Sequence, residues 1–232
     1  MLYCRQAESD CSVARASMRI IAAPSTADLS LTEAVDCLRR GGLVAYPTDT
    51  LYGLGAATGD DRAVRRLFQA KNRPLDNPLP VLVASVGAAQ EVAQMEPSLA
   101  LRLASRFWPG GLTLVLPREP GFHSLALAGG ATVAIRVPNH RVPLGLIREL
   151  GQPLTGTSAN ISGRPPPLTA AEVADQLGER VDIIIDGGRC PGGIESTVLD
   201  LTGESPRLLR EGAISRAELE SVIGSELVDV EE

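Results

Sequence analysis

The chain of 232 residues contains a single lysine, Lys71, among 22 basic residues. Its positive charge is otherwise carried by arginine. Aromatic residues make up only 3%, which argues against a stacking platform for single-stranded nucleic acid. Two histidines, His123 and His140, are too few for a histidine-based metal centre. The four cysteines, Cys4, Cys11, Cys37 and Cys190, match neither a zinc spacing nor C-x-x-C. They read as reduced thiols of a cytosolic protein. No apolar run reaches the ~18 residues of a membrane-spanning helix, so no membrane partner is expected. The Walker P-loop, the Rossmann G-x-G-x-x-G and the G-x-S-x-G elbow are all missing. A formal net charge of -6 argues against broad binding to a phosphate backbone. It leaves room for a local basic pocket.

What is present is a soluble globular composition, with 44% hydrophobic and 22% charged residues. The length is enough to bury a sizeable core. Short apolar runs at 42–47, 79–84, 112–117, 132–138, 153–158, 181–186, 196–201 and 207–210 read as strands. Helical patterns lie near 30–40, 61–70, 86–94, 97–107, 142–150, 169–177 and 215–223. Three of these open with S/T-x-x-E, as Ser30/Glu33, Thr169/Glu172 and Ser215/Glu218. Each is followed by a glycine suited to a left-handed cap: Gly41, Gly178 and Gly224. This alternation predicts an α/β domain with a largely buried sheet. Residues 1–17 lack the apolar core of a signal peptide and read as a disordered extension, with Met18 opening the patterned chain. Residues 18–225 read as one domain and 226–232 as a frayed acidic tail.

Polar residues crowd the joints between elements, where open α/β sheets place ligands. "YPTDTLYGLG" (46–55) carries Thr48, Asp49 and Thr50, and by itself reads equally as a strand-to-turn connection. "KNRPLDNP" (71–78) is a proline-stiffened loop holding an ammonium and a guanidinium two residues apart. Such a loop suits an anion, or simply caps a helix C-terminus. "GTSANISG" (156–163) offers small hydroxyl and amide groups, suited to phosphate, ribose or base, or to an Asx turn. Ser196, Thr197 and Arg210 lie near the end. From the residues alone, the reading is a polar, locally basic cleft for a small anionic ligand.

Taken together, "YPTDTLYGLG", "KNRPLDNPL", "FWPGGLTLVLP", "TVAIRVP", "TSANISG", "DGG…ESTVLDL" and "LLREGAI" resemble the YrdC/TsaC family, the L-threonylcarbamoyladenylate synthases. The resemblance covers about residues 20 to 224. It implies a single-domain form with one open, twisted mixed β-sheet flanked by helices around a concave basic cleft. It implies that threonine and bicarbonate give a carbamate, which attacks the α-phosphate of ATP to yield threonylcarbamoyl-AMP and pyrophosphate. Other proteins then transfer the threonylcarbamoyl group to tRNA. Carried over position by position, Lys71 and Arg73 are the catalytic cations at the phosphates. Arg73, Asn77, Thr132, Ser158, Asn160 and Arg210 face ATP, and Thr50, Arg136 and Ser196 hold threonine. Magnesium is expected with ATP, with no metal site in the protein itself. Contact with tRNA is expected to be weak or indirect, and the setting cytoplasmic.

Two positions depart from the family pattern. Leu82 stands where some relatives have histidine, and Glu211 stands beside Arg210 where proline is frequent. Two rival functions remain: a double-stranded RNA-binding module using Arg62, Arg65, Arg66, Lys71 and Arg73, or a relative that forms a carbamoyl adenylate. As for Lys71, an ammonium is a compact point charge where guanidinium is a planar fork. The sole lysine is either a leftover of composition or a site where only an ammonium fits.

Overall fold

Two mixed sheets frame the computed structural model, which describes residues 18–23, 31–95 and 98–229. The first sheet runs β1 (Arg19–Ala22), β9 (Ile183–Asp186), β2 (Val44–Tyr46), β3 (Gly53–Gly55), β8 (Thr157–Ser158). The second runs β12 (Val228–Asp229), β11 (Arg207–Arg210), β10 (Thr197–Asp200), β5 (Leu112–Pro117), β6 (Thr132–Arg136), β4 (Val81–Leu82), β7 (Leu154–Thr155). The helices are α1 (Thr32–Arg39), α2 (Asp61–Ala70), α3 (Val86–Gln90), α4 (Ser98–Phe107), α5 (Arg141–Leu150), α6 (Ala170–Leu177) and α7 (Arg216–Ile223). The α/β class expected from the sequence is therefore present, but as two sheets rather than one.

The division has a local cause. "PLTGTS" reads as one strand and is two. Leu154–Thr155 pairs antiparallel with β4, and Thr157–Ser158 pairs antiparallel with β3 in the other sheet. Gly156 is the joint. A Cβ there would lie 2.7 Å from Leu82 Cγ and Cδ2, so no larger residue fits unless the buried Leu82 side chain shifts. The "YGLG" glycines also differ from expectation. They form β3 rather than a turn, because the Tyr46 ring lies against them. A Cβ on Gly53 or Gly55 would come within 2.7 Å of that ring. The Tyr46 hydroxyl donates to Thr155 O at 2.9 Å, tying the first sheet to the crossover.

Helix ends follow the sequence unevenly. Ser215 and Glu218 complete a capping box on α7, which stops at Gly224 with φ +84°. Thr169 caps α6, but the Glu172 carboxylate accepts the Leu168 N–H instead of closing the box on Thr169. Gly41 has the expected positive φ after α1, while Ser30 lies outside the described residues. So do the extension 1–17 and residues 230–232. The tail departs from expectation: Leu227 is buried and β12 pairs parallel with β11, so ordered chain runs past residue 225.

Three apolar clusters hold the layers. One joins α4 and α7 to the second sheet through Leu103, Leu112, Leu114 and Leu219. Another joins α2 and α6 to the first sheet through Leu54, Leu67, Phe68 and Val173. The third places α1 and α5 over β2 and β9 through Leu38, Val44, Leu146 and Ile185. Each fully buried Leu or Phe supplies roughly 1.5–3 kcal/mol of transfer free energy.

Lys71 is part of this interior. It ends α2 and is only 2% exposed. Its Nζ donates to the carbonyls of Ser158 and Asn160, the latter at 2.6 Å, and to Asn160 Oδ1 at 3.3 Å. Its own carbonyl accepts the Ser162 N–H at 2.9 Å. Three acceptors match the three donors of an ammonium. An arginine fork is too long and too flat for that nest. Burial, then the nearby Arg73 guanidinium, push the ammonium down from 10.5 to about 7, with Glu195 opposing.

Lys71→Met leaves buried carbonyls without donors, at about 1–3 kcal/mol each. Thermal unfolding should show Tm lower by roughly 6–12 °C, the shift for about 3 kcal/mol in a chain this size. The pH dependence carries a sign. With the folded value below the unfolded one, the unfolded chain holds more protons between pH about 7 and 10.5. The penalty on the buried charge is full below pH about 7 and is relieved above it. The stability of the wild type should therefore climb relative to Lys71→Met as pH rises from 7 to 9. Parallel curves would contradict this account of Lys71.

Candidate functional site

Strands of both sheets line an open cavity of about 460 Å³, within the range of small-molecule sites. Its charged lining residues are Arg73, Arg136, Arg210 and Glu195.

Arg136 ends β6 and is 7% exposed. Its Nε donates to Gly110 O at 2.8 Å, its Nη1 to Thr50 Oγ1 at 3.1 Å and its Nη2 to Asp49 Oδ1 at 2.8 Å. Burial pulls its pKa down from the usual guanidinium range, and Asp49 opposes that pull. Asp49 and Thr50 are presented by a tight turn after β2. Thr48 Oγ1 accepts the N–H groups of Thr50 and Leu51 and bonds to Leu51 O. Asp49 Oδ1 also accepts the Asn139 N–H at 3.1 Å. Ser196 Oγ lies 2.9 Å from Thr113 Oγ1. This part of the site offers a fixed cation surrounded by hydroxyls, which suits a carboxylate bearing a small polar side chain.

Arg73 follows α2 in a loop that closes on itself. Its Nε donates to Asn77 O, and its Nη2 to Asn77 Oδ1 at 2.6 Å and Pro78 O at 2.8 Å. Ser158 leaves the crossover strand and donates to Asn160 Oδ1. Asn160 Nδ2 donates to Ile161 O and Arg164 O. Arg210 ends β11, with Nε and Nη2 donating to Ser196 O at 3.1 and 2.9 Å and Nη1 to Glu195 Oε2 at 2.6 Å.

The cavity brings together eight of the residues assigned a catalytic or binding role from the sequence: Thr50, Arg73, Asn77, Thr132, Arg136, Ser158, Ser196 and Arg210. Lys71 and Asn160 are not among its lining residues. Both are buried, and they bond to each other and to the loop behind Ser158. Lys71 was expected at the phosphates. The structure places it behind the wall because its three donors are taken up by loop oxygens.

Two residues were missed, and Asp49 was named in its motif without its partner Arg136, 87 positions away. Thr113 and Glu195 gave no signal beyond their neighbours. The departures also resolve. Leu82 lines the cavity with carbon only. Glu211 turns away from Arg210, its Oε1 accepting the Arg216 N–H at the start of α7. Of the α2 arginines on which the RNA reading draws, Arg66 is held by Asp182 through bonds of 2.7 and 2.8 Å.

Comparison with known proteins shows the family. A family model described as "Telomere recombination", for Sua5, YciO and YrdC, matches residues 36–212. The chain is 45% identical over 206 residues to the threonylcarbamoyl-AMP synthase of Bacillus subtilis, covering 88% of this chain and 60% of that protein. It is 48% identical over 187 residues to the threonylcarbamoyl-AMP synthase of Pyrococcus abyssi, covering 81% and 55%. The solved structure of P. abyssi Sua5 complexed with L-threonine superposes with a TM-score of 0.87 at 43% identity, over 92% of this chain and 63% of that one. The chain thus spans only 55–60% of the length of these two curated relatives. With the family model matched across most of its described residues, the chain belongs to the Sua5/YciO/YrdC family.

Proposed function

We propose that the protein is an L-threonylcarbamoyladenylate synthase. The observation that carries this reading is the arrangement of the three arginines in one cavity. Arg136 is buried among hydroxyls, while Arg73 and Arg210 rest on loops rich in hydrogen-bonding groups. Arg136, Thr50 and Ser196 would take threonine, the guanidinium gripping its carboxylate. Arg73, Asn77, Thr132, Ser158 and Arg210 would take the triphosphate. Apolar lining from Leu79, Leu127 and Leu209 suits the adenine base.

The threonine amine and bicarbonate would give a carbamate with loss of water. A carbamate oxygen would attack the α-phosphorus, and the bond to the β-phosphate oxygen would break, releasing pyrophosphate. No covalent protein nucleophile is required. The residues align the two anions and offset the charge that develops. Lys71 would act as a positioning residue, fixing the loop that presents Ser158. Among the described residues no group of three or more His, Cys, Asp or Glu is placed to hold a metal. Magnesium is proposed as a companion of the ATP phosphates, whose charge it would offset. Product transfer would fall to downstream tRNA threonylcarbamoyl-transfer proteins, with tRNA contact weak or indirect. A cytoplasmic setting fits these substrates, and no described helix is long and apolar enough to cross a membrane.

Pyrophosphate release should require ATP, threonine and bicarbonate together. Serine lacks only the methyl group and should be discriminated against by about 10–200-fold in kcat/KM. Valine lacks the hydroxyl and should stay near background, because the site hydroxyls would be left unpaired. Valine turnover comparable to threonine would remove the assignment.

Arg136→Lys loses the fork and also unbalances buried Asp49. The KM for threonine should rise by roughly 10–100-fold, the scale of a lost charge-assisted bond, while the KM for ATP stays within about twofold. Tm should fall too. A fall in Tm with threonine dependence unchanged would make Arg136 purely structural.

A further inference from the structure

Two of the cavity arginines already carry a carboxylate, and the two pairs differ in kind. Asp49 on Arg136 is 18% exposed and is also fixed by the Asn139 N–H. Glu195 on Arg210 is 39% exposed, and Arg210 is the one partner found on its carboxylate among the described residues. Arg210 is anchored along one edge by Ser196 O. The Glu195 side chain occupies another of its donors, Nη1, within the cavity lining.

The backbone makes this neighbourhood obligatory. Ala213 N donates to Glu195 O at 2.9 Å, and Gly212 N donates to Thr197 Oγ1 at 2.9 Å. A Cβ on Gly212 would lie 2.3 Å from Glu195 O. The 195–197 and 210–213 segments are therefore tied together through the Glu195 carbonyl and the Thr197 hydroxyl, which keeps the Glu195 main chain beside the arginine. Its side chain is 39% exposed, and its carboxylate is held by Arg210 alone among the described residues. Glu195 also acts on Lys71, where its charge opposes the depression of the ammonium.

We infer that Glu195 is an internal competitor for the anion site on Arg210, a carboxylate that a phosphate-bearing ligand must displace to bind. This rests on the proposed nucleotide reading only for the identity of the natural ligand. When the site is empty, the carboxylate neutralises Arg210. When a polyanion enters, the carboxylate swings out and the guanidinium changes partner. Apparent affinity is then the intrinsic affinity scaled by the fraction of molecules in which Arg210 is released. A multiply charged phosphate chain wins this exchange more readily than a single carboxylate. Glu195 thereby weakens binding of any anion that must take up the Arg210 guanidinium, and leaves ligands held on Arg136 untouched.

The test is calorimetric titration of the wild type, Glu195→Gln and Glu195→Ala with inorganic pyrophosphate, ATP and threonine, with Tm measured on each preparation. An exposed ion pair is modest in strength. Both variants should therefore bind pyrophosphate and ATP about 2–5-fold more tightly, with threonine affinity unchanged. Unchanged or weaker pyrophosphate binding in both folded variants, with ATP binding intact, would overturn the competitor role and leave the nucleotide reading standing. Tighter pyrophosphate with no ATP binding in any form would keep the competitor and overturn the nucleotide reading. No binding of either ligand by any form would overturn both.

Discussion

The contact between the Lys71 ammonium and the loop oxygens at Ser158 and Asn160 holds the cavity in shape. It fastens the end of α2 to the point where the chain has just crossed between sheets. Gly156 permits that crossing, Tyr46 braces it from the first sheet, and Lys71 fixes what emerges. Arg73 begins its loop two residues after Lys71. One buried ammonium thus sets the relative position of two walls of the site. Arginine could not take its place, since the oxygens converge on a point and a fork cannot. A lone lysine in an arginine-rich chain is explained by packing as much as by charge.

The electrostatics follow from the same frame. Three arginines share one cavity in a protein of net charge -6. Two are held by carboxylates whose settings differ. Asp49 is locked by a backbone N–H, so Arg136 keeps one orientation and presents a fixed receptor. The Glu195 carboxylate meets only Arg210 among the described residues, the pair inferred above to be exchangeable. A rigid clamp for a small carboxylate and an exchangeable clamp for a larger polyanion fit the two kinds of substrate that the proposed reaction must join.

Much of this was legible in the sequence. Strands written as short apolar runs, such as Leu112–Pro117 and Arg207–Arg210, and helices such as Asp61–Ala70 fall where the pattern puts them. Three features did not show, each for a physical reason. β3 is a glycine strand, and glycine signals turns unless a ring is known to lie on it. β1 and β12 are short edge strands whose pairing depends on β9 and β11, far away in the chain. The split of "PLTGTS" depends on contact between Gly156 and Leu82. In the site, the cavity-lining residues came from motifs in register. The depth of Lys71 and Asn160, and the carboxylates on Arg136 and Arg210, came only from long-range partners. Sequence adjacency sets Glu211 beside Arg210, whereas Glu195 is the acid that reaches the guanidinium.

The central claim is that one cavity joins threonine, bicarbonate and the AMP part of ATP. The most direct measurement is mass spectrometry of the product formed from carbon-labelled bicarbonate, threonine and ATP. The account predicts an adduct containing threonine, the labelled carbon and AMP, formed in step with pyrophosphate. Adenylated threonine without the label, a labelled adenylate without threonine, or ATP hydrolysis with no adenylated product would contradict it.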